Sequence, residues 1–163
     1  MIKISKERLL KLKKSFDGLK IAVIGDMMLD CYYWGDVKRV SPEAPVPIVE
    51  VENEFYRFGG AANVALNIKK LGGIPIPIGV IGYDNEGSIF SSLIEEEKIA
   101  SAGLVIDDGR PTTSKARVIA HNQHVVRIDK EKKNPVDSAM SKRLLDYFKS
   151  RVDELDGIIL QDY

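Results

Sequence analysis

Four short and almost unbroken apolar runs, Ile21–Ile24, Ile76–Ile81, Leu104–Ile106 and Ile158–Leu160, each end within two residues of a Gly or an Asp. A strand that is apolar on both faces needs cover on both faces, which is the condition of a parallel strand sandwiched between helices. Helical patterns lie between the runs. Ala61, Val64, Ala65, Ile68 and Leu71 form one apolar stripe stopped by Gly72-Gly73. Ile89, Phe90, Leu93 and Ile94 form another over about 86–98, and Met140, Leu144, Leu145, Phe148 and Val152 a third from about Asp137. A short opening helix carries Leu9, Leu10, Leu12 and Phe16 among lysines. The alternation of strand and helix predicts an α/β chain with a parallel sheet.

Two segments depart from this rhythm, residues 42–58 and 112–129. The first sets Pro45 and Pro47 around Val46 before Ile48–Val51, and the second alternates apolar and polar residues and turns at Asn122-Gln123. Both read as half-exposed antiparallel strands, forming a small β-layer that stands off the main sheet.

With 163 residues the chain makes one domain, and 24 Lys+Arg against 24 Asp+Glu remove the long-range field that would gather a polyanion over the whole surface. Only local patches remain to consider, so neither nucleic acid nor a membrane is expected as a partner. The one cysteine, Cys31, has no internal disulfide partner, and no Cys/His cluster has zinc spacing, which fits a reducing, cytoplasmic setting. The N-terminus is too charged for a signal-peptide core, and no apolar run approaches the roughly 20 residues that span a bilayer.

Candidate chemistry gathers at three places. Asp26 and Asp30 follow the first strand, at the sheet edge where ligands bind in open α/β folds. A turn cap and a solvated loop residue would explain them as well. Gly59-Gly60 stands directly before a helix, where missing side chains let backbone N–H groups approach a bound oxygen. It matches neither of the two phosphate-binding glycine fingerprints, and Asn63 reads equally as a helix cap. Lys115, Arg117, Asn122 and Gln123 on the second β-layer segment suit hydroxyls or a phosphate, or are simply solvated. His121 and His124 lack a third metal ligand. Cys31 reads as a packed thiol, and Tyr32, Tyr33 and Trp34 as a stacking surface or a subunit contact.

Ile24-Gly-Asp-Met-Met-Leu-Asp30, Ser41-Pro-Glu-Ala-Pro-Val-Pro47 and Gly59-Gly-Ala-Ala-Asn-Val-Ala65 together resemble the N-terminal half of ribokinase-like (PfkB) carbohydrate kinases. Within that family the Ser41–Pro47 segment, Thr113-Ser-Lys-Ala-Arg-Val118, Asn122-Gln123 and Gln161-Asp-Tyr163 are similar to the D-glycero-β-D-manno-heptose-7-phosphate kinases. The resemblance runs from about Leu19 to Tyr163. It implies a ribokinase-like parallel sheet flanked by helices, with a small antiparallel β lid built from about 42–58 and 112–129. It implies transfer of the ATP γ-phosphate, with Mg²⁺, to the anomeric hydroxyl of a heptose 7-phosphate, on the way to ADP-heptose and the lipopolysaccharide core.

By the same resemblance Asp30, Gly59, Gly60 and Asn63 hold sugar hydroxyls. Lys115, Arg117, Asn122 and Gln123 face the sugar phosphate from the lid, and the lid clasps a second copy into a homodimer. The family's Gly-Ala-Gly-Asp motif, whose Asp is the general base, occurs nowhere in the sequence. Residues 1–163 are therefore expected to be the N-terminal part of one such kinase domain, cut short before its nucleotide-binding half, with no catalytic residue or metal ligand of its own and inactive alone. Alternative readings are a non-catalytic sugar-binding or dimerisation module of this fold, or a kinase of another sugar such as fructose phosphate or ribose. A dehydrogenase-type nucleotide domain is opposed by the missing glycine fingerprint after the first strand.

Overall fold

A computed structural model describes residues 4–162, so the Tyr163 end of the last motif lies outside the described residues. The chain runs α1 (Lys6–Ser15), β1 (Lys20–Gly25), β2 (Met27–Val40), β3 (Pro47–Gly59), α2 (Gly60–Lys70), β4 (Ile74–Gly82), α3 (Asn85–Glu96), β5 (Leu104–Asp107), β6 (Thr113–Ala120), β7 (Gln123–Lys130), α4 (Ser138–Arg151) and β8 (Gly157–Gln161).

The four apolar runs are the four strands of one parallel sheet, in the order β5-β4-β1-β8. Helices cover both faces of the central strands β1 and β4, whereas the edge strand β8, expected to be buried like the others, leaves Ile158, Ile159 and Leu160 48%, 36% and 76% exposed. On one side Val23 and Ile81 pack with Ala61 and Ala65 of α2 and with Phe90 and Ile94 of α3. On the other, Ala22, Ile76 and Ile78 meet Leu144, Tyr147 and Phe148 of α4. Asp side chains start two of the helices: Asp84 accepts from Gly87 N–H and Asp137 from Met140 N–H. Asn63 does not cap α2. Gly59 is its N-cap residue, with no side-chain cap hydrogen bond, and Asn63 lies in the first turn.

The off-sheet layer is a second four-stranded sheet, ordered β3-β2-β6-β7. It is mixed: β2 pairs antiparallel with β3 and parallel with β6, and β7 closes antiparallel on β6. The two segments expected to form it do not touch as neighbours, because β2 lies between them. That strand is the main departure from the sequence pattern, in which Asp30 stands after the first strand with no strand predicted over Met27–Val40. Its first residues are core, with Leu29 and Cys31 buried, and its last, Lys38–Val40, are exposed, so no single two-residue alternation marks its whole length.

The hairpin turn also sits one residue earlier than expected. His121 and Asn122 both have positive φ, 49° and 61°, the signature of a two-residue primed turn, and Gln123 already belongs to β7. Phe58 at the root of the second sheet meets Phe90 of α3 edge to face at 5.2 Å, which fixes that root to the main body.

Candidate substrate cleft at the root of the second sheet

Asp30 lies on β2, four residues past the kink that carries the chain from the main sheet into the second one. Register places Arg57 of β3 on one side of it and Lys115 of β6 on the other. Arg117 Nη1 donates to Asp30 Oδ1 at 2.8 Å, a charge-assisted bond between two side chains that are each only 19% exposed. Burial works against the charge on Arg117, and the hydrogen bond and negative charge of Asp30 outweigh it, raising the guanidinium pKa. Asp30 Oδ2 has no partner among the described residues. A carboxylate has about four acceptor positions, so this leaves capacity for a hydroxyl-bearing ligand.

The glycine pair has a steric reason to be there. A Cβ on Gly59 would stand 3.2 Å from Asp30 Oδ1 and 3.1 Å from Met28 Cβ, and one on Gly60 would collide with the Asp26 carbonyl oxygen. Gly60 also has φ +51°, a conformation L side chains resist. Asp26 contributes through its backbone, since its carbonyl accepts from Ala61 N–H at 2.9 Å and pins the start of α2 beside β2.

Above Asp30 an aromatic and cationic layer continues along the same face. Tyr32 stacks on Phe55 at 4.8 Å, with Arg117 5.2 Å and Arg57 5.8 Å from the Tyr32 ring centroid. Asp30, Tyr32, Arg57 and Asn63 line an open cleft of about 490 Å³, closed at the back by Leu66 and Leu93. That volume suits a phosphorylated monosaccharide. A second cleft of about 770 Å³ opens beside it, lined by Asp26, Met28, Lys115 and Arg127 among others. Lys115 is buried and pairs with Asp129 at 3.3 Å and Glu131 at 3.9 Å.

Of the eight residues expected at the site, Asp30, Gly59, Gly60, Asn63 and Arg117 come together here, and Lys115 lines the adjoining cleft. Asn122 and Gln123 do not join them. They sit at the hairpin tip beside Ala120, which pairs with Gly35, five residues along β2 from Asp30 and so roughly 17 Å away within one protomer. Cys31 faces the core, where burial first and the charges of Glu86, Asp30 and Glu54 next push its thiol up to about 11. That removes it as a nucleophile at neutral pH.

Two features gain their roles only from long-range placement. Arg57 reaches the cleft from β3. Asp84 joins the two sheets: besides capping α3 it accepts from Thr112 Oγ1 at 2.7 Å, Thr112 N–H at 3.0 Å and Lys130 Nζ at 3.1 Å. Burial alone would raise its pKa, yet these bonds, with that from Gly87 N–H, hold it at about 2. Its position before a helix could have identified the cap, but the contacts to Thr112 and Lys130 are long-range.

Among the described residues no group of three His, Cys, Asp or Glu side chains is placed to hold a metal ion.

Residues 19–162 match the sequence profile of the pfkB family carbohydrate kinases. The chain is similar to the bifunctional protein HldE of Helicobacter pylori, with 48% identity over 144 residues, covering 88% of this chain and 31% of that protein. It thus spans about a third of the length of such curated relatives. It is also similar to a solved carbohydrate kinase from Agrobacterium tumefaciens, with TM-score 0.60, 16% identity, and 87% of this chain and 45% of that one covered. A solved Methanocaldococcus jannaschii nucleoside kinase, described as an archaeal member of the ribokinase family, superposes with TM-score 0.52 and 22% identity over 69% of this chain and 37% of that one. At these identities the two structures establish the fold alone.

Proposed function

Because the chain belongs to the pfkB family of carbohydrate kinases, we propose that it forms the sugar-binding and lid portion of an ATP-dependent kinase whose substrate is D-glycero-β-D-manno-heptose 7-phosphate. The observation that carries the reading is the Asp30 carboxylate. One of its oxygens is engaged by Arg117, the other is without a partner among the described residues, and Gly59 is packed against it so that no side chain intrudes. A carboxylate in that state accepts from sugar hydroxyls, and its arginine partner keeps it ionised and oriented. Arg57, Arg117 and the Tyr32 face supply positive charge and a flat surface for the rest of a phosphorylated sugar. The similarity to a bifunctional HldE protein and the Ser41–Pro47 and Thr113–Val118 motifs support a heptose over other sugars. ATP and Mg²⁺ belong, in this proposal, to parts of the complete enzyme that the described residues do not supply, as does the base that takes the anomeric proton.

The test is Asp30→Asn in the intact kinase. Loss of charge-assisted hydrogen bonds worth about 1.5–3 kcal/mol should lower kcat/KM for the heptose phosphate by roughly 10- to 100-fold and leave KM for ATP unchanged. An unaltered kcat/KM for the sugar would overturn the assignment.

A further inference from the structure

We propose that the end of the domain opposite the substrate cleft docks on the surface of an anionic lipid bilayer. The chain is neutral as a whole, but its charge is segregated. Residues 4–20 carry Lys6, Arg8, Lys11, Lys13, Lys14 and Lys20 against only Glu7 and Asp17. Most of these cations lie on α1, which buries none of its residues and leaves Leu9 and Leu10 57% and 58% exposed. Among the described residues, Lys6, Arg8, Lys11, Lys13 and Lys14 enter no ion pair, which leaves the segment a net excess of positive charge over Glu7 and Asp17.

The patch does not end with the helix. Across a shallow groove from Leu10, Lys13 and Lys14 stand Lys69, Lys70 and the 51%-exposed Leu71 at the end of α2, with Asp17 as the one carboxylate in the lining and Lys70 paired to Glu97 at 2.7 Å. Gly18 N–H donates to the Gly72 carbonyl and ties the two ends together. Exposed leucines ringed by lysines combine insertion of apolar side chains at the acyl boundary with attraction to anionic headgroups. The location agrees with that use. The patch precedes β1 and β4, whereas Asp30 and the glycine pair follow the far end of β1, so a docked molecule keeps its cleft open to solvent. No helix among the described residues is long and apolar enough to cross a membrane, and docking requires none. The overall neutrality that argued against a membrane partner does not bear on a patch of this local density.

The experiment is co-sedimentation of the intact protein with phosphatidylcholine vesicles and with vesicles that also carry phosphatidylglycerol. Binding is expected only to the second kind, and it should fall as ionic strength approaches roughly 1 M, where the Debye length is about 3 Å. Lys13→Glu with Lys14→Glu should weaken it by about tenfold or more, and Leu9→Ser with Leu10→Ser should weaken it as well. Since α1 buries no residue, melting temperature and solution kinase kinetics should stay unchanged in both variants, which separates this inference from the proposed activity. Failure to bind anionic vesicles, or equal binding to neutral ones, would overturn it. So would indifference to the leucine changes, which would indicate a site for soluble polyanions. Loss of self-association in the leucine variant with vesicle binding intact would assign the face to a second copy instead.

Discussion

At the scale of single residues, the cleft depends on a contact the sequence only half discloses. Asp30 and the Gly59-Gly60 pair can be picked out in the sequence by their positions after a strand and before a helix, although a solvated loop carboxylate and an ordinary glycine loop would look the same there. Their mutual contact is invisible there, since it follows from β3 returning antiparallel beside β2. Arg57 and Arg117 are ordinary strand arginines by local context and acquire a role only through register. The contact predicts that Gly59→Ala acts through Asp30. A methyl 3.2 Å from the carboxylate oxygen forces that group to shift by a few tenths of an ångström. Sugar kcat/KM should fall by at least about tenfold, with a loss of stability near ~1 kcal/mol, measurable by steady-state kinetics beside a thermal melt. An enzyme with wild-type sugar kinetics would show that Gly59 serves the backbone turn alone.

Among the elements, β1 and β4 and their covering helices were legible because their apolar content and periodicity are imposed by burial on both faces, while β8 shows the same apolar run but is largely exposed. β2 was not, because it changes environment midway, from core at Met27–Cys31 to open surface at Lys38–Val40. The junction between the two sheets rests on Asp84, and its acidity makes a pH test possible. The folded pKa of about 2 lies below the ordinary 3.8, so the stabilisation is complete above about pH 4 and is lost as pH falls through 2. Asp84→Asn is expected to cost on the order of 1–2 kcal/mol at neutral pH, with solvent screening discounted. The variant and the parent should converge in denaturant midpoint near about pH 2. A constant gap down to that pH would mean that packing rather than the ionised carboxylate holds the junction.

For the whole molecule, the second sheet and the turn before β3 present apolar side chains that the described residues leave exposed: Val46, Val51, Val126 and Ile128 are 51%, 51%, 47% and 57% exposed. Exposed edge strands of this kind invite pairing with a second copy, and a homodimer through the lid is the proposed assembly. Light scattering should give a dimer mass, and Val126→Glu with Ile128→Glu should give a monomer. A dimer unaffected by that pair of changes would place the interface elsewhere. The 163-residue chain assayed alone with ATP and a heptose 7-phosphate should release no ADP above background, because the Gly-Ala-Gly-Asp base motif is not in it. Turnover approaching the roughly 1–100 s⁻¹ of kinases would show that a described residue serves as base.

The position of β2 between two partners also governs the order of assembly. Its antiparallel partner β3 follows directly in the chain, whereas Asp30 and Arg117 are 87 residues apart, with β4, α3 and β5 in between. A contact of that sequence separation closes late, after the entropy of the intervening loop has been reduced by the main sheet. During synthesis, the β2–β3 hairpin therefore leaves the ribosome with one hydrogen-bonding edge vacant until β6 emerges to fill it. In pulse-labelled hydrogen exchange, amides bonding β2 to β6 should gain protection after those of the hairpin and of β1–β4. Until they do, that open edge is where a nascent chain is most exposed to pairing with the wrong strand.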